Sequence, residues 1–408
     1  MNTGDSQGKP AAVLAFSGGL DTSYCLLALR EQGYEVHTVF VDTGGMGAEE
    51  LAWIRQRAGD LGAAQHHQLD GGQAIWDEFV IPLVWSHARM LGTYPLLCSD
   101  RYLIVRLGLE LCDRLGTQHF AHGCTGMGND QLRFDQTVRS LGDYRIHAPV
   151  RELQKDVKDI RAHEIAVLEK AGVHVPGRTL RYSINENLLG VTVSGSEVDR
   201  FENPEEGTRR LCRPRKEWPD APLNLRIGFE GGIATHIDGE PLAGPELLLR
   251  LNRAFGAYGV GRHIYTGDVS IGLKGRIVFE CPGIDALQAA HQALEDSVNT
   301  RLQNQFRHVV AQRWAELVYT GFFYEPHKAD LDAYLASSQA AVSGVVTLQS
   351  EGGSLSAVAV ESPNLLCDEN AVYAQSCDWS PEEAEGFIKL LGKSTTTAAR
   401  VRARNRES

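Results

Sequence analysis

One stretch decides the fold of the first half of the chain: Ala15-Phe16-Ser17-Gly18-Gly19-Leu20-Asp21-Thr22-Ser23. It follows an apolar segment, Ala11–Phe16, that predicts a buried strand, and it opens a helical pattern at Ser23–Gln32. Two adjacent glycines permit a sharp turn and bring backbone N–H groups close to an anion. The free N–H groups at the start of the helix add to the same site. The stretch therefore predicts a phosphate-binding loop.

Two common nucleotide-binding patterns are absent from this loop. It contains neither Gly-x-x-x-x-Gly-Lys-Ser/Thr nor Gly-x-Gly-x-x-Gly. Asp21 would repel a phosphate unless a cation lay between them, which predicts a Mg²⁺ ion with Asp21 as a ligand. The structural alternative is a strand–turn–helix corner capped by Ser and Asp, which a bare Gly-Gly turn would favour.

Strand and helix patterns alternate through the rest of this half. Strands are predicted at Val36–Val41 and His119–Ala121, and helices at Glu49–Leu61 and from Ser99–Asp100 to Gly116. This βαβα order predicts a doubly wound α/β domain, with a parallel sheet covered by helices on both faces, over residues 11–170.

The pattern changes near Pro176, and residues 171–365 are interpreted as a second, α+β domain. The predicted elements are strands at Leu225–Phe229, Gly231–Asp238 and Ile277–Cys281, and helices at Ala286–Gln303 and Arg307–Val318. Residues 366–408 are expected to be a C-terminal tail. After about Ser394 the tail is interpreted either as a frayed end or as a segment that crosses between subunits.

Composition excludes several classes of function. A formal charge of -12 argues against general nucleic-acid binding, which relies on Lys and Arg. No apolar run approaches the length of a membrane span, and the polar N-terminus does not resemble a signal peptide. Eight cysteines without Cys-x-x-Cys spacing are typical of reduced thiols in a long chain. A cytoplasmic protein without a membrane or nucleic-acid partner is therefore expected.

A second polar loop follows the predicted strand at His119–Ala121. It reads His122-Gly123-Cys124-Thr125-Gly126-Met127-Gly128-Asn129-Asp130-Gln131-Leu132-Arg133-Phe134. Ligands of open parallel sheets bind beyond the carboxyl ends of the strands, so this loop should face the same crevice as the first. Alone it could equally be a solvated turn, but together with the glycine loop it favours a binding site.

The two loops carry a family resemblance. The first is similar to the loop of the N-type ATP pyrophosphatases, which bind pyrophosphate there and adenylate a carbonyl oxygen. The second resembles the argininosuccinate synthases, as do Tyr182–Gly190, Gly259–Arg262 and Glu316–Phe322. The likeness extends from about Val13 to Trp379.

The resemblance implies roles for particular residues. ATP would be held by Ala15, Phe16, Ser17, Gly18, Gly19, Leu20, Asp21, Thr22, Ser23, Val41 and Gly123, and aspartate by Thr125, Asn129 and Asp130. Citrulline would be held by Asn129, Arg133, Ser183, Thr192, Arg89 and Tyr94. Asp21 and His122 are the candidate catalytic residues, although a histidine that ends a strand is more often part of the packing.

The chain also departs from the family pattern. Arg89 is interpreted as replacing a family Tyr and Tyr94 as replacing the Ser of a Gly-Thr-Ser stretch; Gly267 and Phe279 stand for a family Glu and Tyr. The missing Glu removes a charge-assisted partner for an ammonium group. Asp268 could supply that charge, the ammonium could be met elsewhere, or the substrate could be an N-acylated citrulline.

The implied activity is the ATP-dependent ligation of citrulline to aspartate through an adenylated intermediate, in a homotetramer that uses ATP and Mg²⁺. Two other readings stay open. One keeps the ATP loop and changes the acceptor, and the other is a nucleotide-binding sensor without turnover.

Overall fold

A computed structural model describes residues 9–174, 181–368 and 370–407. The chain forms two compact units, one that ends at Asn364 and one that begins at Leu365. The predicted boundary near residue 170 falls inside the first unit and stays a prediction. The predicted change of character at Pro176 lies outside the described residues.

The first sheet has five parallel strands in the order β3-β2-β1-β4-β5. They are β1 (Ala11–Ala15), β2 (Glu35–Asp42), β3 (Gln65–Asp70), β4 (His119–Ala121) and β5 (Arg145–His147). Strand order reverses between β1 and β4, and such a reversal opens a crevice at the carboxyl ends of the strands. The two polar loops of the sequence follow these two strands.

Helices cover both faces of this sheet. Successive side chains of β1, which point to opposite faces, are buried in two different apolar clusters. Leu14 belongs to one buried apolar cluster, whereas Val13 and Ala15 belong to another. The helices of this region are α1 (Leu20–Glu31), α2 (Ala48–Asp60), α3 (Gly72–Ile75), α4 (Ile81–Ser86), α5 (Asp100–Leu115), α6 (Asp130–Leu141), α7 (Pro149–Leu153) and α8 (Ile160–Lys170), with a π-helical turn at Trp76–Val80. The predicted doubly wound α/β domain is confirmed.

Two antiparallel sheets follow in the same unit. One has the order β11-β12-β7-β6 and the other β10-β9-β8-β13-β14. Their strands are β6 (Ser183–Asn187), β7 (Gly190–Ser194), β8 (Leu223–Glu230), β9 (Ile233–Ile237), β10 (Glu240–Pro241), β11 (Arg262–Asp268), β12 (Lys274–Glu280), β13 (Gly344–Ser350) and β14 (Ser356–Glu361). Their helices are α9 (Gly244–Gly256), α10 (Pro282–Val298), α11 (Arg301–Tyr319) and α12 (Pro326–Ser338).

One helix prediction crosses a break in the structure. The predicted helix Ala286–Gln303 is divided, because α10 ends at Val298 and α11 begins at Arg301. Thr300 caps α11, since its side chain accepts from the Gln303 backbone N–H and the Gln303 side chain accepts from the Thr300 N–H. Thr followed three residues later by Gln is the signature of such a helix start.

The second unit contains α13 (Pro381–Leu391) and α14 (Lys393–Glu407). A frayed end after Ser394 was therefore the wrong alternative, because helix continues to Glu407. Alpha-helix α13 buries none of its residues within this chain. Among the described residues, no helix combines the length and apolar character that crossing a membrane requires.

Candidate active site

A cleft of about 920 Å³ opens at the carboxyl ends of β1 and β4. Both polar loops line it, together with residues from α5, α8, β6, β7, β11 and β12. The site therefore lies where strand order reverses, and the antiparallel sheet that contains β6 and β11 supplies its other wall.

The glycine loop turns sharply between β1 and α1. Gly18 has φ of 75°, and a side-chain carbon on it would come within 2.8 Å of Trp53 Cζ3. The Phe16 N–H donates to the Val39 carbonyl at 2.9 Å, which fixes the start of the turn to β2. Helix α1 begins at Leu20, so its free N–H groups face the cleft, as an anion site requires.

Most of the predicted ATP residues line the cleft, and two do not. Those that do are Ala15, Phe16, Ser17, Gly19, Leu20, Asp21, Thr22, Val41 and Gly123. Gly18 shapes the turn from behind. Ser23 is fully buried, and its hydroxyl donates to the Gly18 carbonyl at 3.2 Å and accepts from Arg57 Nε at 3.3 Å. Ser23 therefore stabilises the turn and does not face a ligand, which corrects its predicted role as a direct donor.

Asp21 forms a carboxyl pair with Glu164 of α8. The Asp21 side chain is accessible from the cleft, yet the surrounding protein desolvates it and raises its pKa. Burial and the neighbouring Asp21 raise the pKa of Glu164 to about 8. One oxygen of Glu164, Oε1, is buried without a hydrogen-bond partner. Two carboxyl groups beside a phosphate loop, with an unsatisfied oxygen, fit a divalent cation.

Both ring nitrogens of His122 form hydrogen bonds within the protein. Its Nδ1 accepts from the Cys124 N–H at 3.1 Å, so its Nε2 carries the proton and donates to Asp135 at 2.9 Å. The side chain is buried, and this burial lowers its pKa. Neither nitrogen is free for a substrate, so the geometry favours the packing role over the catalytic role predicted for His122.

The second loop brings opposite charges together at the start of α6. Asp130 accepts from Arg133 Nη1 at 2.6 Å and from Arg101 Nη2 at 3.2 Å. Burial opposes its ionisation, but the two arginines lower the pKa of Asp130. The Asn129 side-chain oxygen accepts from the Ser270 N–H at 2.7 Å, which joins the loop to the segment after β11. Thr125, Asn129, Asp130 and Arg133 all line the cleft.

The assignment of Arg89 requires a correction. Arg89 is not among the residues that line the cleft. Its guanidinium instead bonds Asp285 at 2.6 Å, Gln288, and the Thr93 carbonyl at 3.1 Å. Tyr94, in contrast, does line the cleft. The predicted contact of Arg89 with citrulline is therefore wrong, whereas the predicted contact of Tyr94 stays a prediction.

The remaining predicted citrulline residues lie on the opposite wall. Ser183 in β6 and Thr192 in β7 both line the cleft. Gly267 lines it too. Asp268 is not among the lining residues, and its carboxylate pairs with Lys274 at 2.7 Å. Lys274 therefore already neutralises the one carboxylate that lies next to Gly267 in β11.

Several cleft residues were given no role by the sequence, among them Arg101, Glu164 and Tyr265. Tyr319 lies in a stretch that resembles the family, but that stretch did not indicate a place in the cleft. Only the fold brings them beside the two loops.

Comparisons with known proteins cover almost the whole chain. A family model described as "Arginosuccinate synthase N-terminal HUP domain" matches residues 11–174, and "Arginosuccinate synthase C-terminal domain" matches residues 182–398. An argininosuccinate synthase of Xanthomonas axonopodis pv. citri is 56% identical over 97% of this chain and 96% of its own length. One from Xylella fastidiosa is 55% identical over 95% and 97%. One from Bacillus subtilis is 35% identical over 94% and 95%.

Proposed function

The chain belongs to the argininosuccinate synthase family, a family of ATP-dependent ligases of arginine biosynthesis, and we propose that the cleft at β1 and β4 is where it joins citrulline to aspartate. One observation carries this placement: the phosphate loop and the charged Asp130 group open on the same cleft. A nucleotide and two amino acids can therefore meet there.

The glycine loop receives the pyrophosphate. Ser17, Gly19, Leu20 and Thr22 line the cleft, and their backbone N–H groups and hydroxyls are the donors that would meet the phosphate oxygens. The ureido oxygen of citrulline attacks the α-phosphorus of ATP. The bond between the α-phosphorus and the oxygen that bridges it to the β-phosphate breaks, and pyrophosphate leaves into this loop. The ureido carbon of the adenylated product is then electrophilic.

The second step forms the new carbon–nitrogen bond. The neutral amine of aspartate attacks the ureido carbon, AMP leaves with the former ureido oxygen, and a proton is lost from the nitrogen. Catalysis of this kind depends mainly on positioning and on stabilising developing charge. It requires no side-chain nucleophile.

The two amino acids occupy different parts of the cleft. The ionised Asp130 meets the ammonium of aspartate, with Thr125 and Asn129 beside it, before that ammonium gives up a proton. Citrulline lies against Asn129, Arg133, Tyr94, Ser183 and Thr192, all of which line the cleft.

Mg²⁺ is part of the proposal. Asp21 and Glu164 are the residues that would hold it, on the strength of their carboxyl pair and of the unsatisfied Glu164 oxygen. When bound, the ion neutralises phosphate charge. The chain's own contribution is to place these two carboxyl groups at the start of α1.

Assembly and location are further parts of the proposal. An apolar, largely exposed face on α13 supports a homotetramer in which the C-terminal unit packs against other copies. Eight free cysteines support a reducing, cytoplasmic location.

Release of AMP and pyrophosphate tests the function. The purified protein is given ATP, Mg²⁺, citrulline and aspartate, and then each amino acid is omitted in turn. With the complete mixture we expect AMP and pyrophosphate to form in equal amounts. Without citrulline we expect no AMP to form. A nucleotide sensor would release neither product in any mixture, and that result would exclude the proposal.

A further inference from the structure

Tyr265 occupies the wall of the cleft without a partner for its hydroxyl. It lies in β11, where side chains alternate between faces, so it shares the cleft face with Gly267. Only 5% of the residue is exposed. The hydroxyl is buried and has no partner at ordinary hydrogen-bond geometry. Burial raises the pKa of Tyr265, and the nearby Tyr319 opposes part of this rise. A buried, unpaired hydroxyl costs free energy unless a ligand satisfies it.

Gly267 makes this position of the ring possible. A side-chain carbon on Gly267 would overlap the Tyr265 hydroxyl and ring. Any larger residue at 267 would therefore displace the Tyr265 ring from its place. Glycine at 267 and tyrosine at 265 act as one unit that presents a hydroxyl to the cleft.

Tyr265 is part of an aromatic wall. Its ring centroid lies 5.4 Å from that of Tyr94 and 6.4 Å from that of Tyr319, and Tyr94 lies 6.3 Å from Tyr319. All three rings are buried and line the cleft. Tyrosine faces attract cations, and a tyrosine oxygen accepts hydrogen bonds from an ammonium.

The acidic side chains of the cleft are engaged at other contacts. Asp21 and Glu164 pair at the phosphate loop, and Asp199 accepts from the Gly195 N–H at 2.9 Å. Asp130 is the residue that meets the ammonium of aspartate in the proposed function. Among the described residues that line the cleft, the tyrosine wall is thus the surface that suits an ammonium group on the citrulline side.

We propose that the Tyr265 hydroxyl, set over Gly267 and flanked by Tyr94 and Tyr319, binds the α-ammonium of citrulline and determines specificity for the free amino acid. This inference rests on the proposed function. Tyr265 does not take part in the chemical steps; it holds the amino-acid end while the ureido end reacts.

Tyr265→Phe removes the hydroxyl and keeps the ring. We expect kcat/KM for citrulline to fall about 10-fold or more, as for a hydrogen bond to a charged group, with KM for ATP and for aspartate changed by less than about twofold. The melting temperature should change little, because the lost hydroxyl has no partner at ordinary hydrogen-bond geometry in the free protein. Gly267→Ala, which displaces the ring, should give the same selective loss.

Tyr258→Phe is the matched control. Its hydroxyl is also nearly buried, but it donates to the Ala221 carbonyl at 2.8 Å and does not line the cleft. This variant should lose thermal stability and keep all three KM values.

Substrate analogues identify the group that Tyr265 binds. 5-Ureidopentanoate lacks the ammonium, so wild-type protein should prefer citrulline strongly and Tyr265→Phe should lose about 10-fold of that preference. An unchanged preference in the variant overturns the proposal, and so does faster turnover of N-acetylcitrulline than of citrulline by wild type. If wild-type protein forms AMP with none of these substrates, that result would refute the proposed function instead.

Discussion

At the scale of single residues, the carboxyl pair of Asp21 and Glu164 is the most unusual feature of the site. Two acidic groups in contact, one of them buried, share a proton near neutral pH because both cannot ionise at low cost. In the proposed function, a Mg²⁺ ion replaces this proton. The pair therefore has a measurable cost in the metal-free protein.

That cost predicts a pH dependence of stability. The pKa of Glu164 is about 8 in the folded protein against an ordinary value of 4.5, so between these pH values the folded chain holds a proton that the unfolded chain has released. The pair's contribution to the free energy of unfolding therefore falls as the pH rises through this window and is constant above it. Metal-free wild type should lose more thermal stability between pH 5.5 and 8 than Glu164→Gln. Parallel curves for the two proteins would show that the pair carries no shared proton.

Individual residues also show where sequence reasoning stops. The glycine loop identified the strand, the turn and the helix, because glycine spacing and capping are local properties. It could not tell that Ser23 points inward or that both nitrogens of His122 are engaged, since those orientations depend on Arg57 and Asp135. The prediction for Arg89 failed for the same reason, because its guanidinium bonds Asp285 and Gln288, which lie far away along the chain.

At the scale of elements, the break between α10 and α11 gives a test of stability without function. Thr300 and Gln303 form the capping box that starts α11. Thr300→Ala should lower the free energy of unfolding by about 1 kcal/mol, as measured by urea denaturation, with AMP formation unchanged. Thr300→Ser keeps the hydroxyl and serves as the control. Equal losses in both variants would mean that the cap hydrogen bond contributes nothing.

Strands with a clear apolar pattern were predicted from the sequence, and polar strands were not. Strands β1 and β2 are apolar and were found within one or two residues, but β3 is Gln-His-His-Gln-Leu-Asp, too polar to signal a strand. Its existence depends on pairing with β2 at the sheet edge. Likewise no strand was predicted at β6 or β7, whereas in the structure they pair from Ser183–Ser194 to Asn187–Gly190.

At the scale of the whole molecule, the C-terminal unit should build the oligomer. Phe387, Ile388, Leu390 and Leu391 of α13 are between 63% and 77% exposed. Such a cluster is rarely left in water. Phe387→Ser combined with Ile388→Ser should lower the mass measured by sedimentation velocity, and Lys389→Ala on the same helix should not. A wild-type chain that sediments as a monomer would rule out this assembly.

The complete cleft is likewise a property of the whole molecule. Its two loops were visible in the sequence, but Tyr265 and Tyr319 lie more than a hundred residues from either loop. No periodicity or motif relates such distant positions. Their position in the cleft follows only from the packing of the antiparallel strands and their helices beside the first sheet.

The transfer of the ureido oxygen tests the central claim most directly. Citrulline labelled with ¹⁸O in its ureido group is converted with ATP and aspartate, and the AMP is examined by mass spectrometry. Attack of this oxygen on the α-phosphorus predicts one ¹⁸O in each AMP formed and none in pyrophosphate. Unlabelled AMP formed at the same rate as argininosuccinate would contradict the account.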